Sequence, residues 1–318
     1  MLRHPAQRET LREGDVTDGS ELRVSHLTKT FGRRRPVHAV RDLSFSVSPG
    51  RVTGFLGPNG SGKTTTLRCL LGLVTPTSGA VTIAGSPYRD LPHPTRTVGA
   101  ALEASGVHPA RTARNHLRIL AAAGGIPATR VNEVLVQVGL DDAANRRVGG
   151  FSLGMRQRLA LAGALLGDPG VLILDEPANG LDPEGIAWLR AFLRDLAAQG
   201  RTVLVSSHVL SEVRQTVDDV VVIAGGELVH AGALDSLVSA GEVHVRSPRA
   251  AELAAMLADA DAVRVDGDSV HVVGLTMDDI GHRAFTAGIE LHELSTVASD
   301  LEQAFLSLTA SGRPGGAL

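Results

Sequence analysis

The sequence predicts an α/β protein: a mostly parallel β-sheet with helices on both sides, interrupted by a helical insertion and followed by a small α+β unit. A glycine-rich stretch, 57–64, lies between a short apolar run and a run with an apolar helical face. The unbroken apolar run 171–174 is typical of a parallel strand covered on both faces. Strand-like and helix-like runs alternate along most of the chain, which indicates parallel strands connected by helices.

The first part of the chain is expected to hold a leader and four strands. Residues 1–20 are polar and lack periodicity, so we expect a disordered leader there. Alternating or unbroken apolar runs then predict strands over residues 21–27, 40–47, 51–56 and 79–85.

A helical subdomain is expected over about residues 90–167. Thr112 is placed to cap its first helix, and Ser152 opens its third. The second helix shows the i, i+3, i+4, i+7 spacing of an apolar face at Val131, Val134, Leu135 and Val138. A helix over 183–199 and strands over 171–174, 202–206 and 220–224 complete a large domain, residues 21–240.

A smaller accessory domain is expected over residues 241–310. Its elements follow the order strand, helix, strand, strand, helix, strand, and then a last helix, over residues 242–246, 249–258, 262–266, 269–273, 276–287, 289–295 and 299–309. Without the last helix this β-α-β-β-α-β order is ferredoxin-like. The glycine-rich tail 311–318 is expected to be flexible.

The composition limits the classes of function. The chain has 318 residues, enough for one large and one small domain, and its net charge of −3 argues against a protein that binds nucleic acid through bulk charge. The single cysteine, Cys69, excludes an intrachain disulfide and suits a reducing cytosol. No apolar stretch approaches the ~18 residues needed to span a bilayer. We therefore expect any membrane association to come through a partner.

The stretch 57–64 fits the phosphate-loop pattern G-x-x-x-x-G-K-[ST] without a mismatch. Strand, loop and helix follow each other as in P-loop NTPases, where backbone N–H groups and a helix N-terminus converge on phosphate. Lys63 would reach the β- and γ-phosphates, and the Thr64 hydroxyl would bind Mg²⁺. The residues expected to bind the nucleotide here are Gly57, Pro58, Asn59, Gly60, Ser61, Gly62, Lys63, Thr64 and Thr65.

Two carboxylates follow the apolar run 171–174. Asp175 and Glu176 would lie at the carboxyl edge of the sheet, where the phosphate loop also ends. Asp175 fits the role of holding Mg²⁺, because this ion prefers hard oxygen ligands. Glu176 is placed to orient or deprotonate the attacking water, and Lys63 belongs to the same catalytic group.

The stretch Phe151-Ser152-Leu153-Gly154-Met155-Arg156-Gln157-Arg158 resembles the signature of ATP-binding-cassette (ABC) ATPases. The usual family form is Leu-Ser-Gly-Gly-Gln, of which this chain keeps Ser152 and Gly154. By pattern alone, Ser-x-Gly is also an ordinary helix cap. The resemblance implies that the cofactors are ATP and Mg²⁺. It also implies that two copies pair head to tail, each signature covering the γ-phosphate of ATP on the other copy.

Two further stretches resemble the family at the expected places. Asn179-Gly180-Leu181-Asp182-Pro183 is similar to the D-loop, in which Asp182 would couple the two sites. A turn in which Asp182 caps the helix begun by Pro183 is compatible with that role. The histidine of Ser206-Ser207-His208 matches the switch histidine, which would contact the γ-phosphate and support Glu176.

Two nucleotide contacts depart from the family pattern. Phe31 matches the aromatic residue that stacks on adenine, where tyrosine is commoner; the alternative is a phenylalanine of the core. The Q-loop glutamine is missing, and Glu103 occupies its place. A carboxylate can still face Mg²⁺, so Glu103 is expected to contact the metal and the nucleotide.

The resemblance to ABC ATPases covers about residues 21–240. Within that family, the chain most resembles the ATPase subunits of daunorubicin- and bacitracin-type exporters. It implies an ATPase that powers export of a small drug or antibiotic through a separate integral-membrane permease. The chain would then be cytoplasmic and peripheral on the inner face of the cell membrane. One alternative is a soluble ABC ATPase that acts on ribosomes or nucleic acid. Another is a ligand-sensing regulatory ATPase.

Overall fold

The computed structural model describes residues 21–32, 34–102, 106–208, 214–234, 236 and 243–296. The expected leader 1–20, Glu103, the expected helix 299–309 and the tail 311–318 lie outside the described residues. Among the helices of the described ranges, none combines the length and the apolar character needed to cross a membrane.

The larger unit contains nine strands, six α-helices and two short 3₁₀-helices within the described ranges. The strands are β1 (Leu22–Phe31), β2 (Val37–Val47), β3 (Val52–Leu56), β4 (Ser78–Ile83), β5 (Val98–Ala101), β6 (Val171–Asp175), β7 (Thr202–Ser207), β8 (Asp219–Ala224) and β9 (Glu227–Ala233). The helices are α1 (Lys63–Leu70), α2 (Pro94–Thr97), α3 (Ala113–Ala123), α4 (Arg130–Gln137), α5 (Leu153–Leu165) and α6 (Pro183–Ala198).

The main sheet has the strand order β5-β6-β7-β3-β8-β9. Its neighbours pair in parallel, except that β9 is antiparallel to β8. Carboxyl ends of parallel strands meet at one edge of a sheet. The ends of β3, β6 and β7 therefore bring the phosphate loop, Asp175 and Ser207 to the same edge. The predicted α/β fold class is confirmed.

Both faces of the main sheet are buried, as the apolar run in β6 predicts. Leu172 and Leu174 pack in a cluster with the helices of the insertion and α6. Ile173, between them, packs on the opposite face in a cluster with α1 and the first strands. All three side chains are fully buried. Their burial on both faces of the sheet stabilises β6, the strand at whose end Asp175 and Glu176 lie.

The structure adds three features to the predicted sheet. Strands β1, β2 and β4 form a separate antiparallel sheet in the order β2-β1-β4, which the individual strand patterns do not reveal. Strands β5 and β9 were not predicted. Strand β5 reads Val-Gly-Ala-Ala, and a Cβ on Gly99 would lie 2.1 Å from the carbonyl oxygen of Ala164. Close packing against α5 therefore requires small residues in β5. Glycine and alanine are uncommon in β-strands, so this sequence does not predict a strand.

The predicted helices of the insertion are present. The Thr112 side chain caps α3 by accepting a hydrogen bond from the N–H of Asn115. The Ser152 side chain does the same for α5 from the N–H of Met155 at 3.2 Å. These caps satisfy backbone N–H groups that have no partner inside the helix.

The C-terminal unit is described by itself. It contains β10 (Val243–Arg246), α7 (Ala250–Met256), β11 (Ala262–Asp266), β12 (Ser269–Val273), α8 (Met277–Thr286) and β13 (Glu293–Thr296). Its four strands are antiparallel in the order β11-β12-β10-β13, which is the ferredoxin-like arrangement. A separate core includes Val245, Leu253, Val270 and Ile280. The last strand begins later than predicted.

Candidate nucleotide-binding site

The phosphate loop connects the fully buried strand β3 to helix α1. A side chain at Gly57 would bring a Cβ within 2.4 Å of the carbonyl oxygen of Ile223 and 2.5 Å of the Ser61 hydroxyl. Gly62, directly before α1, has a φ of 105°, which favours glycine. The two glycines therefore let the chain turn tightly around the space in front of the N-terminus of α1.

Lys63 is the first residue of α1, and its side chain is buried within the loop. Its Nζ donates a hydrogen bond to the carbonyl oxygen of Gly57 at 2.6 Å and lies 3.8 Å from Oε1 of Glu176. Burial lowers the pKa of Lys63, and the negative charges of Glu176 and Asp175 oppose that shift. The Lys63 ammonium can donate a charge-assisted hydrogen bond to an anionic oxygen in the phosphate loop.

Ser61 provides a test of whether the loop fits a phosphate. Its side chain is only 2% exposed, and its Oγ has no hydrogen-bond partner among the described residues. A buried hydroxyl without a partner is costly. A phosphate oxygen in the loop would supply that partner, so the loop and the ligand fit each other.

Asp175 has both carboxylate oxygens engaged. The Thr64 hydroxyl donates to Oδ2 at 2.9 Å, and the Ser206 hydroxyl donates to Oδ1. Thr64 and Asp175 thus bring a hydroxyl oxygen and a carboxylate together beside the loop. Both are the hard oxygen donors that Mg²⁺ prefers, so these two residues fit the predicted metal site.

Glu176 lies between the ammonium of Lys63 and the imidazole of His208. Its Oε1 faces Lys63, and its Oε2 lies 2.8 Å from Nδ1 of His208. His208 follows directly after β7 at the carboxyl edge of the sheet. The structure therefore brings together Lys63, Thr64, Asp175, Glu176 and His208, from three separate parts of the sequence.

The signature and D-loop residues lie together, and Leu153, Arg156 and Gln157 line one cavity with Asp175 and Glu176. Ser152 and Asp182 are exposed N-caps of α5 and α6, and Asp182 accepts a hydrogen bond from the N–H of Gly185 at 2.8 Å. A Cβ on Gly154 would lie 3.4 Å from Cδ2 of Leu181. The start of α5 thus packs against the loop before α6, and both helix N-termini are accessible.

The two departures from the family pattern have different outcomes. Phe31, at the end of β1, is 42% exposed, and Nζ of Lys29 lies 4.8 Å from its ring centroid. The alternative of a core phenylalanine is therefore wrong, while stacking on adenine stays a prediction. Glu103 lies outside the described residues, so its predicted contact with metal and nucleotide also stays a prediction.

Sequence reasoning missed Ser206. From the sequence alone, Ser206 has no assigned role beyond its place in the stretch that leads to His208. In the structure its hydroxyl contacts both acidic residues: it donates a hydrogen bond to Asp175 and accepts one from the N–H of Glu176 at 2.9 Å. A polar residue at the end of an apolar strand was the available clue. Its partner could not be known without the strand register, in which Ser206 pairs with Asp175.

The fold and this site define a P-loop nucleoside triphosphatase. Residues 40–179 match the family model described as ABC transporter, and residues 241–302 match a domain family of unknown function. The bacitracin transport ATP-binding protein BcrA of Bacillus licheniformis is 43% identical over 68% of this chain and 71% of its own length. The BcrA protein of Enterococcus faecalis is 36% identical, covering 81% of this chain and 82% of its own length.

A solved structure of an ATP-binding cassette is also similar to this chain. A dimeric ATP-binding cassette in a post-hydrolysis state, bound to ADP and Pi, is similar with a TM-score of 0.61 and 25% identity, over 67% of this chain and 98% of that one. The chain belongs to the ATP-binding subunits of ABC transporters. It binds ATP and hydrolyses it.

Proposed function

We propose that the chain energises the export of a small drug- or antibiotic-type molecule through a separate membrane permease. The cluster of Lys63, Glu176 and His208 beside the phosphate loop carries the hydrolytic part of this proposal. The export part is supported by the two BcrA relatives, which are named for bacitracin transport. These names favour transport over action on ribosomes or nucleic acid and over a purely regulatory role.

The phosphate loop would hold the triphosphate of ATP. The backbone of residues 57–62 and the N-terminus of α1 would surround the β-phosphate, with Lys63 bridging to the γ-phosphate. Thr64 and Asp175 would hold Mg²⁺, which when bound neutralises charge on the β- and γ-phosphates. Phe31 would stack on the adenine through its exposed ring.

Glu176 would act as the general base for hydrolysis. Water attacks the γ-phosphorus, the bond from that phosphorus to the β–γ bridging oxygen breaks, and ADP and phosphate form. Glu176 takes the proton of the attacking water, while His208, bound to its Oε2, orients the carboxylate and contacts the γ-phosphate. The Lys63 ammonium stabilises charge on the transferred group.

Ser152, Gly154 and Asp182 would serve the ATP bound by a second copy. Ser152 presents an exposed helix N-terminus, which attracts anions, and Gly154 adds no side chain that would keep the γ-phosphate away. Head-to-tail pairing would place this surface over the phosphate loop of the partner. The dimeric cassette bound to ADP and Pi is consistent with such pairing.

A groove between β5 and helices α3 and α5 would receive a short cytoplasmic helix of the permease. It is lined mainly by apolar and small residues, among them Ala101, Leu102, Val107, Leu120, Ile126 and Gly163. This contact would hold the chain at the inner face of the cell membrane. Co-purification with a membrane protein, rather than with ribosomes, would support this placement.

Replacing Glu176 by Gln tests the hydrolytic assignment. We expect ATP turnover to fall by about 10²- to 10⁴-fold, because a general base of this kind contributes that much. ATP affinity should be retained, and the ATP-loaded variant should accumulate as a dimer in size-exclusion chromatography with light scattering. The matched control is Glu227→Gln on the exposed strand β9, which should hydrolyse ATP normally. Normal turnover of Glu176→Gln would remove Glu176 from the role of base.

A further inference from the structure

A single hydroxyl connects the two consecutive acidic residues of the site. Ser206 is fully buried near the end of β7 and lies opposite Asp175 in the parallel register with β6. Its Oγ donates a hydrogen bond to Oδ1 of Asp175. The same Oγ accepts a hydrogen bond from the backbone N–H of Glu176 at 2.9 Å.

The first of these bonds fixes the carboxylate of Asp175. Thr64 holds Oδ2 at 2.9 Å from the side of α1, and Ser206 holds Oδ1 from the side of β7. With both oxygens bound on opposite sides, rotation of the carboxylate would break at least one hydrogen bond. Without Ser206, Thr64 alone would leave the carboxylate free to turn.

The second bond holds Glu176 in an unusual backbone conformation. Glu176 has a φ of 50°, in the left-handed region that residues with a Cβ avoid. Such a conformation persists only where its surroundings enforce it. The hydrogen bond from its N–H to Ser206 is one such constraint, and the conformation directs the Glu176 side chain to Lys63 and His208.

We propose that Ser206 is a positioning residue that orients Asp175 and Glu176 together through one buried hydroxyl. This inference rests on the proposed roles of Asp175 in metal binding and of Glu176 as base. Ser206 acts through these two carboxylates and takes no part in bond making. Loss of the hydroxyl should therefore impair the chemical step much more than nucleotide binding.

The experiment compares Ser206→Ala, Ser206→Cys and Ser206→Thr. Alanine removes the hydroxyl, cysteine keeps roughly the volume but bonds weakly, and threonine keeps the hydroxyl and adds a methyl group. We expect kcat to fall about 10- to 100-fold in the alanine and cysteine variants, with KM for ATP changing less than about threefold. Threonine should recover most of the lost turnover. Equal turnover in the cysteine and threonine variants would overturn the inference, since the hydroxyl would then not matter.

A measurement without turnover tests the same claim. Hydrogen exchange at the amide of Glu176, resolved by mass spectrometry with electron-transfer fragmentation, should be about tenfold faster in Ser206→Ala and Ser206→Cys than in the unaltered chain. An unchanged exchange rate in both would contradict a positioning role. If Ser206→Ala does not fold, the comparison of the cysteine and threonine variants decides the question.

Thr53→Val is the matched control. Thr53 lies on the neighbouring strand β3, it is 1% exposed, and its hydroxyl has no hydrogen-bond partner among the described residues. Its loss should leave turnover unchanged; a fall equal to that of Ser206→Ala would mean that any buried hydroxyl of the sheet matters, and would overturn the inference. Glu176→Gln is measured in parallel. If it is inactive while Ser206→Ala is normal, the positioning role fails alone. If both are normal, the proposed function fails as well.

Discussion

The two groups of nucleotide-site residues differ in how much support they receive from their own chain. In the phosphate-loop group, Lys63 is buried, Asp175 is bound through both carboxylate oxygens, and Glu176 is held by contacts to its backbone and its side chain. In the signature group, Ser152 and Asp182 are exposed, and the hydrogen bonds of their side chains serve the helices they cap.

This difference fits a division of labour between two copies of the chain. Groups that carry out chemistry must be oriented before the substrate arrives, and burial with hydrogen bonds achieves that within one copy. Groups that close a site from outside must be accessible until the second copy binds. The signature group has that property, because it presents helix N-termini to solvent.

Replacing Gly154 by Asp should disable the signature group while the phosphate-loop group stays intact. Of the substitutions discussed below, we expect this one to lower ATP turnover most. A carboxylate in the first turn of α5 favours the helix, so folding should be preserved. It would repel the triphosphate on the other copy, and turnover should fall at least about 100-fold, since like charges at close range cost several kcal/mol. Gly154→Asn is the control for size, because it adds a side chain of similar volume without the charge, and its turnover should fall less than that of Gly154→Asp.

Mixing two inactive variants tests whether the sites are shared between copies. A pair made of one Gly154→Asp copy and one Lys63→Ala copy has one site in which both residues are intact. Half of randomly formed pairs are mixed, so about a quarter of the turnover should return if the two sites work independently. Absence of any recovery, in a mixture shown to contain mixed pairs, would contradict head-to-tail pairing.

Replacing Lys63 by Ala should weaken the phosphate-loop group in a different way. ATP affinity should fall about 10- to 100-fold, the loss expected for hydrogen bonds to a charged group, as measured by titration with a fluorescent ATP analogue. Burial lowers the pKa of Lys63, so the ammonium loses its proton at a lower pH than an ordinary lysine. As the pH rises, the unaltered protein should therefore lose ATP affinity at a lower pH than the pKa of an ordinary lysine would predict, because the neutral amine no longer attracts the phosphates. Lys63→Ala lacks this group, so its ATP affinity should not show this decline.

The sequence could predict the phosphate-loop group because its chemistry follows local patterns. Glycine spacing identifies 57–64, and an apolar run ending in Asp175 and Glu176 identifies the sheet edge. Ser206 could not be predicted, because its role depends on the register between β6 and β7, which are separated by helix α6. Strand β5 was missed for a related reason: the contact of Gly99 with Ala164 requires small residues, whose pattern is weak.

The local pattern at Asp182 fits two compatible roles, a helix cap and a contact between copies. Asp182→Ala should destabilise the unit by about 1 kcal/mol through loss of the cap. That loss corresponds to a fall in melting temperature of about 2–4 °C. Asp182→Asn keeps an acceptor for the N–H of Gly185, so its melting temperature should match that of the unaltered protein.

The pair of variants separates the two roles of Asp182. If Asp182 only caps α6, turnover below the melting range should be normal in both variants. If its carboxylate also couples the two sites, Asp182→Asn should hydrolyse ATP more slowly while remaining as stable as the unaltered chain. We expect the second result, because Asp182 is exposed beside the packed signature residues and accessible to a second copy. Normal turnover in Asp182→Asn would confine the contact between copies to Ser152 and Gly154.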